Sequence, residues 1–245
     1  MSAHIQTAVV TGASRGFGRA IAAALTTAGT QVIGIARGEQ ELRAARDELG
    51  DRFVPVAADA TSESLARDVL REYQPGLLVL NAGATPPMAP LTEQTWDSFS
   101  RNWHTDTRHA FTWTREALLA PLAPGSVVVL MSSGAAVAGS PLSGGYAGAK
   151  AAIRYIRAYA AAESDRAGLK LRFVALLPQL TPATGLGAAG IAGYAAREGV
   201  SPGAYAERFQ PVLAPAQVAQ AVLDLAGDPG SAPEYLLTGS GNRAL

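Results

Sequence analysis

Between an apolar run, residues 5–11, and an alanine-rich stretch with helical periodicity, residues 19–28, the chain reads Thr11-Gly12-Ala13-Ser14-Arg15-Gly16-Phe17-Gly18. Three glycines at that spacing constrain the fold more than any other feature. The backbone must turn tightly, an anion must be able to reach the helix amino terminus, and the helix must pack closely on the strand. The stretch therefore predicts a strand, turn and helix unit that receives a pyrophosphate, rather than an ordinary βα turn.

The same rhythm recurs along the chain. Runs rich in β-branched and apolar residues at 7–11, 30–36, 53–57, 77–80, 126–131, 171–177 and 235–238 alternate with stretches of helical periodicity. Val127-Val128-Val129-Leu130-Met131 is apolar without a break, as expected of a strand covered on both faces. The expected fold class is α/β: a three-layer, Rossmann-like, doubly wound parallel sheet of about seven strands, with helices on both faces and ligands at the carboxyl ends of the strands. At 245 residues, a single domain over 1–245 buries about three quarters of its unfolded surface and needs no staple. The segment 179–215, rich in Gly, Ala and Pro, reads as a long irregular connection with one helix near 191–198. A connection of that length is expected to be a substrate lid.

Lys plus Arg and Asp plus Glu both total 20, so nucleic acid is not an expected partner. The absence of cysteine excludes a disulfide framework, a thiolate nucleophile and Cys-ligated zinc, so redox chemistry would have to be carried by a cofactor. A first strand beginning at Ile5 leaves no room for a signal peptide, and no run of 18 apolar residues suggests a membrane span. The expectation is a soluble, cytoplasmic protein with no membrane partner.

In folds of this kind that bind NAD, a carboxylate near the end of strand 2 takes the ribose hydroxyls. Here that place reads Ile35-Ala36-Arg37-Gly38, with no acid before Glu39. Arg37 and Arg15 both lie within reach of the adenosine ribose, where guanidinium groups match a 2′-phosphate. The expected cofactor is NADP(H).

Strand 5 ends in Met131-Ser132-Ser133, and thirteen residues after Ser133 comes Tyr146-Ala147-Gly148-Ala149-Lys150 at the head of a helix. Tyrosine and lysine at i and i+4 share a face. A free phenol is a poor acid-base catalyst at neutral pH, and an ammonium nearby favours its ionised form. With 7 Tyr and two Lys in the chain, the pairing arises by chance about 6% of the time. Ser133, delivered by the adjacent strand end, is placed to hydrogen-bond the substrate oxygen.

Taken together, Thr11 to Gly18, Asp59 after strand 3, Asn81-Ala82-Gly83 after strand 4, Ser133, and Tyr146 with Lys150 resemble the short-chain dehydrogenase/reductase family over essentially the whole chain. The resemblance implies a Rossmann-like domain in which Gly12, Ser14, Arg15, Gly16, Phe17 and Gly18 receive the cofactor. Asp59 would lie near the adenine, Asn81, Ala82 and Gly83 would wall the cofactor, and Lys150 would also bind the nicotinamide ribose. Tyr146 would exchange its proton through that ribose hydroxyl and water.

Two positions depart from the family pattern. The asparagine usual on the helix after strand 4 is replaced by Asp106 when Phe111 and Thr114 are aligned, and Asn102, one turn earlier, is the rival candidate. Phe99, Trp103, Asp106, Ala110, Trp113 and Ala117 follow steps of four and three, which points Asp106 inward. A carboxylate there requires a partner, either Lys150 or a main-chain amide. After strand 6 the usual Pro-Gly is Pro178-Gln179, which adds a side chain near the nicotinamide, with Thr181 or Thr184 facing the carboxamide. His104 and His109, five apart on one helix, are read as surface or interface residues, and no metal is assigned.

Segments 84–88, 135–145 and the stretch after Gln179 carry almost no charge, which favours a neutral, fairly apolar ketone or secondary alcohol as the small-molecule substrate. Arg197 and Arg208 read as a solvated helix face. The resemblance, together with small residues along the Tyr146 helix, implies a homodimer or homotetramer. The rival class is a non-redox protein on the same scaffold, a lyase, a cyclase or a nucleotide sensor. The intact Ser-Tyr-Lys set argues against a sensor, which has no need of a poised phenol.

Overall fold

A computed structural model describes residues 5–245. The first half of the chain forms β1 (Thr7–Thr11), α1 (Gly16–Thr27), β2 (Gln31–Ala36), α2 (Glu39–Leu49), β3 (Phe53–Ala57), α3 (Glu63–Tyr73), β4 (Leu77–Leu80), α4 (Trp96–Asn102) and α5 (Arg108–Leu119). The second half forms β5 (Val127–Met131), α6 (Ala135–Ala138), α7 (Gly144–Arg166), β6 (Arg172–Pro178), α8 (Gly185–Glu198), α9 (Pro202–Ala206), α10 (Pro215–Gly227), β7 (Glu234–Thr238) and β8 (Gly241–Ala244).

The strands make one sheet in the order β3-β2-β1-β4-β5-β6-β7-β8, parallel except for the last pair. Beyond β1 the order reverses, with β2 and β3 on one side and β4 onward on the other. That switch opens a crevice above the carboxyl ends of β1 and β4. The unbroken apolar runs are explained by helices on both faces. Val10, Val32, Val79 and Val129 pack with Ile21 of α1, Leu42 of α2 and Val218 of α10. Their neighbours Val9, Ile33, Leu78 and Val128 point the other way, onto Val69 of α3, Trp113 of α5 and Ile153 of α7.

Two features differ from the sequence expectation. An eighth strand, β8, extends the sheet as an antiparallel edge. Its sequence, Gly-Asn-Arg-Ala, is exposed throughout and has no alternating pattern, so only its hairpin with β7 makes it a strand. The segment 179–215 is mostly helical, not irregular. Thr184 caps α8 by accepting a hydrogen bond from the Gly187 N–H at 3.1 Å, and Ser201 followed by Pro202 starts α9. The glycines of α8 are packing sites rather than breaks. A Cβ at Gly187 would lie 1.9 Å from the Thr181 carbonyl oxygen, and one at Gly193 would lie 2.9 Å from the Met88 methyl.

Candidate active site

The amino-terminal half of the crevice is built by the glycine turn. Gly12 (φ +68°) and Gly16 (φ +56°) hold left-handed backbone that side chains resist, and a Cβ at Gly18 would lie 2.2 Å from the Gly12 carbonyl oxygen. Asn81 locks the turn from β4. Its amide donates to the carbonyls of Thr11 and Gly12 at 3.0 and 3.3 Å, while the Thr11 hydroxyl accepts from the N–H groups of Asn81 and Ala82. Asn81 is therefore chiefly a clamp between β1 and β4.

The first turn of α1 has no side-chain cap and no acidic residue, so its N–H groups and the positive end of its dipole face the crevice uncompensated. Among the described residues, only Thr184 comes within 4 Å of a Cβ built on Gly16, at 3.9 Å, which leaves open space for an anion. Ser14, Arg15, Phe17, Arg37 and Asp59 line the same cleft, with Arg15 and Arg37 exposed. Asp59 accepts from the Thr61 N–H and hydroxyl, both at 2.9 Å, and the main-chain bond holds its carboxyl below the usual range.

At the other half, Ser133, Tyr146 and Lys150 line one continuous cleft with that turn. Ser133 stands just beyond β5, and Tyr146 and Lys150 lie one turn apart on α7, with the Lys150 ammonium 5.6 Å from the Tyr146 ring centroid. α7 is seated by close backbone contact, because a Cβ at Gly145 would fall 1.8 Å from the Phe99 carbonyl oxygen. Glu234 of β7 pins its middle, reaching Arg154 at 2.6 Å and Arg157 at 3.3 Å.

Lys150 is buried and donates to the Met131 carbonyl at 3.0 Å. Its ammonium pairs with the Asp106 carboxylate at 3.1 Å. Burial is the largest influence on Lys150 and works against its charge. Attraction to Asp106 and Tyr146 outweighs burial, so the ammonium is held above its ordinary range. The other Asp106 oxygen accepts from the Ala84 N–H at 2.9 Å. Gly83 must be glycine beside it, since a Cβ there would lie 2.7 Å from Asp106 Oδ2.

Asn102 and Asp106 are not alternatives in space. A turn of π-helix, Trp103–Thr107, joins α4 to α5 and shifts the phase of the inward face by adding a residue to the turn. The expected stripe is corrected accordingly: Trp103 is 41% exposed, while Asn102 is 1% exposed and turned inward. Asn102 donates to the Ala84 carbonyl at 2.8 Å and to Asp106 Oδ1 at 3.3 Å, so it holds the carboxylate from behind.

His109 also overturns an expectation. It is buried against the cleft, not on the surface. Burial, reinforced by the Lys150 charge, lowers its pKa from the ordinary 6.5 to about 3 and keeps the imidazole neutral. The unfolded chain takes up a proton below pH 6.5 that the folded protein refuses, so stability falls as pH drops from about 6.5 towards 3, by about 1.4 kcal/mol per pH unit for one proton. His109→Gln is expected to flatten that acid limb in urea unfolding between pH 4 and 6.5. Parallel profiles for the two proteins would remove His109 from the account.

The segment after β6 uses its polar groups for its own architecture. Thr181 donates to the Leu213 carbonyl at 2.8 Å and accepts from the Ala183 N–H, whereas Thr184 faces Gly16. Pro178 and Gln179 line the cleft, and the Gln179 amide donates to the Phe209 and Pro211 carbonyls at 3.4 and 3.2 Å. Arg197 and Arg208 are exposed, as expected, and Arg208 also pairs with Glu198 at 2.6 Å. Among the described residues, no cluster of His, Cys, Asp or Glu is arranged to hold a metal, and no helix is long and apolar enough to cross a membrane.

The family model described as short chain dehydrogenase matches residues 6–190. The chain is a short-chain dehydrogenase/reductase. Among curated relatives of this dehydrogenase/reductase, a hydroxynaphthalene reductase of Aspergillus fumigatus is 34% identical over 69% of the chain, and the chain spans 64% of that relative's length. A probable NADP-dependent dehydrogenase of Haemophilus influenzae is 32% identical over 73% of the chain and 72% of the relative. The crystal structure of an NAD+-bound xylitol dehydrogenase superposes with a TM-score of 0.83 at 22% identity, covering 96% of this chain and 98% of that one, which bears on the fold alone.

Proposed function

We propose that this dehydrogenase/reductase uses NADP(H) to interconvert a neutral, fairly apolar ketone and its secondary alcohol. The observation that carries the reading is the single cleft that joins Arg15, Arg37 and an uncapped α1 at one end to Ser133, Tyr146 and Lys150 at the other. When bound, the nicotinamide supplies or receives the hydride at the carbonyl carbon. The residues of the chain do the rest.

Main-chain N–H groups of Gly16 and its neighbours take the pyrophosphate, and Arg15 and Arg37 take the ribose 2′-phosphate. Asp59 sits at the adenine end, Ala82 and Gly83 form the wall, and Thr184, whose hydroxyl accepts from Gly187 but donates to no main-chain carbonyl as that of Thr181 does, is better placed than Thr181 for the carboxamide. Ser133 donates to the substrate oxygen. In reduction the phenol of Tyr146 gives that oxygen its proton, and in oxidation the phenolate takes it back. The Lys150 ammonium stabilises the negative charge left on the tyrosine oxygen, and Asp106 holds the ammonium in place.

A panel of ketones followed by loss of NADPH absorbance tests the reaction, with NADH as the second cofactor. Arg37→Ala is expected to raise the KM for NADPH about ten- to hundredfold, the worth of a charged bond to phosphate, and to leave that for NADH nearly unchanged. Equal losses with both cofactors would remove the arginine from 2′-phosphate recognition. Phe111 of α5 and Tyr155 and Tyr159 of α7 are exposed, and the two tyrosine rings stack at 6.2 Å. We assign this face to pairing with a second copy, which the molecular mass in solution checks.

A further inference from the structure

The substrate end of the cleft contains an aromatic stack that the reaction above does not use. Tyr194 of α8, Tyr205 of α9 and Phe209 all line the cleft. The Tyr194 and Tyr205 rings are nearly parallel, 7° apart in plane and 5.7 Å between centroids, and Phe209 packs on Tyr205 at 5.8 Å with its ring tilted by 44°. Arg208 packs on Tyr205 with its guanidinium 4.6 Å from the ring centroid, and Glu198 neutralises its charge. The result is an aromatic slab with a compensated charge behind it.

Tyr194 is the half-buried member of the stack and Tyr205 the buried one. The Tyr194 hydroxyl lies 2.5 Å from Ser140 Oγ, which lies 2.5 Å from Ser143 Oγ. Both serines belong to the connection between Ser133 and Tyr146, so the Tyr194 ring is fixed against the wall that carries the reacting groups. One ring face is covered by Tyr205. Because Tyr194 is half-buried and lines the cleft, we take its other face as the one turned to the cleft, and the contact of Gly193 with Met88 seats the helix that presents it.

Resting on the hydride-transfer reading, we propose that Tyr194 determines specificity and that the substrate is a planar, conjugated carbonyl compound, an aryl or fused-ring ketone lying flat on that free face. A planar ring touches a fixed aromatic plate over its whole area and gains the favourable stacking geometry. A puckered saturated ring of the same size touches it at a few atoms. Because the plate is already oriented by Ser140, little side-chain freedom is lost on binding.

The test uses Tyr146→Phe protein saturated with NADPH, so that no turnover interferes, and calorimetric dissociation constants for 1-tetralone and its saturated counterpart 1-decalone. The expected result is about tenfold tighter binding of the planar ketone. Adding Tyr194→Phe, which keeps the ring, preserves the preference, and adding Tyr194→Leu abolishes it. Equal affinities, no binding of either ketone, or a preference that survives in the leucine variant overturns the proposal. Failure of the hydride-transfer reading looks different: the planar preference is present, but the wild-type protein consumes no NADPH.

Discussion

Tyr146→Phe lowers kcat for ketone reduction by about a thousandfold, within the 10²–10⁴ range of a positioned general acid, and leaves the dissociation constant for NADPH within about twofold of wild type. The phenylalanine keeps the ring that lines the cleft and removes only the hydroxyl to which we assign the proton exchange. Steady-state rates from NADPH absorbance and a fluorescence titration of NADPH separate the two effects. A variant that retains a tenth or more of wild-type kcat would mean that another group carries the proton, and the assignment of Tyr146 would fall.

Asp106→Ala costs about 3–5 kcal/mol of stability, because it leaves the Lys150 ammonium buried with only the Met131 carbonyl as a charge-compensating contact. For a chain of this size that is a fall in Tm on the order of 10 °C. Asp106→Asn keeps an acceptor for the Ala84 N–H and is expected to preserve much of the activity, but it removes the negative charge. In the wild type the folded protein holds the Lys150 proton more tightly than the unfolded chain, whose lysine titrates near 10.5. This contribution is fully present below that pH and is lost as pH rises through the folded value. Without Asp106's charge, burial prevails and the folded value drops below the unfolded one, so in Asp106→Asn the sign reverses: the alkaline loss of stability from Lys150 disappears and stability is instead gained as pH rises towards 10.5, while the alkaline limb of kcat moves to lower pH. Differential scanning calorimetry and rate profiles between pH 8 and 11 read both. An Asp106→Ala protein with wild-type Tm and turnover would show that the ion pair does neither job.

The parts of this fold that were legible from sequence are those where one residue type admits one explanation. Gly12 and Gly18 announce a turn in which a Cβ has nowhere to go. Continuous apolar runs such as 127–131 announce strands covered on both faces, and the spacing of Tyr146 and Lys150 announces a shared helix face, which α7 provides. What escaped was set by packing rather than pattern. Gly185, Gly187 and Gly190, ahead of the helix expected near 191–198, read as irregular because the chain does not say that Thr181 and Leu180 will press against this stretch. The π turn at Trp103–Thr107 could not be read from steps of three and four, so the inward turn of Asn102 and the burial of His109 were missed. A weak signal existed for His109, since it is one residue from Ala110 on the inward stripe. β8 has no signal of its own beyond the hairpin that returns it to β7.

The tethering of Lys150 limits what any ligand can ask of it. An ammonium carries three hydrogens. One is committed to the Met131 carbonyl, and the Asp106 carboxylate 3.1 Å away draws the ammonium to its own side, so at most two N–H groups remain to offer towards the cleft. A guest that reaches for them competes with a fixed carboxylate for the same cation, and gains the ammonium only in the direction that Asp106 leaves open. The side chain is thus a cation with a fixed heading, not a swivelling arm.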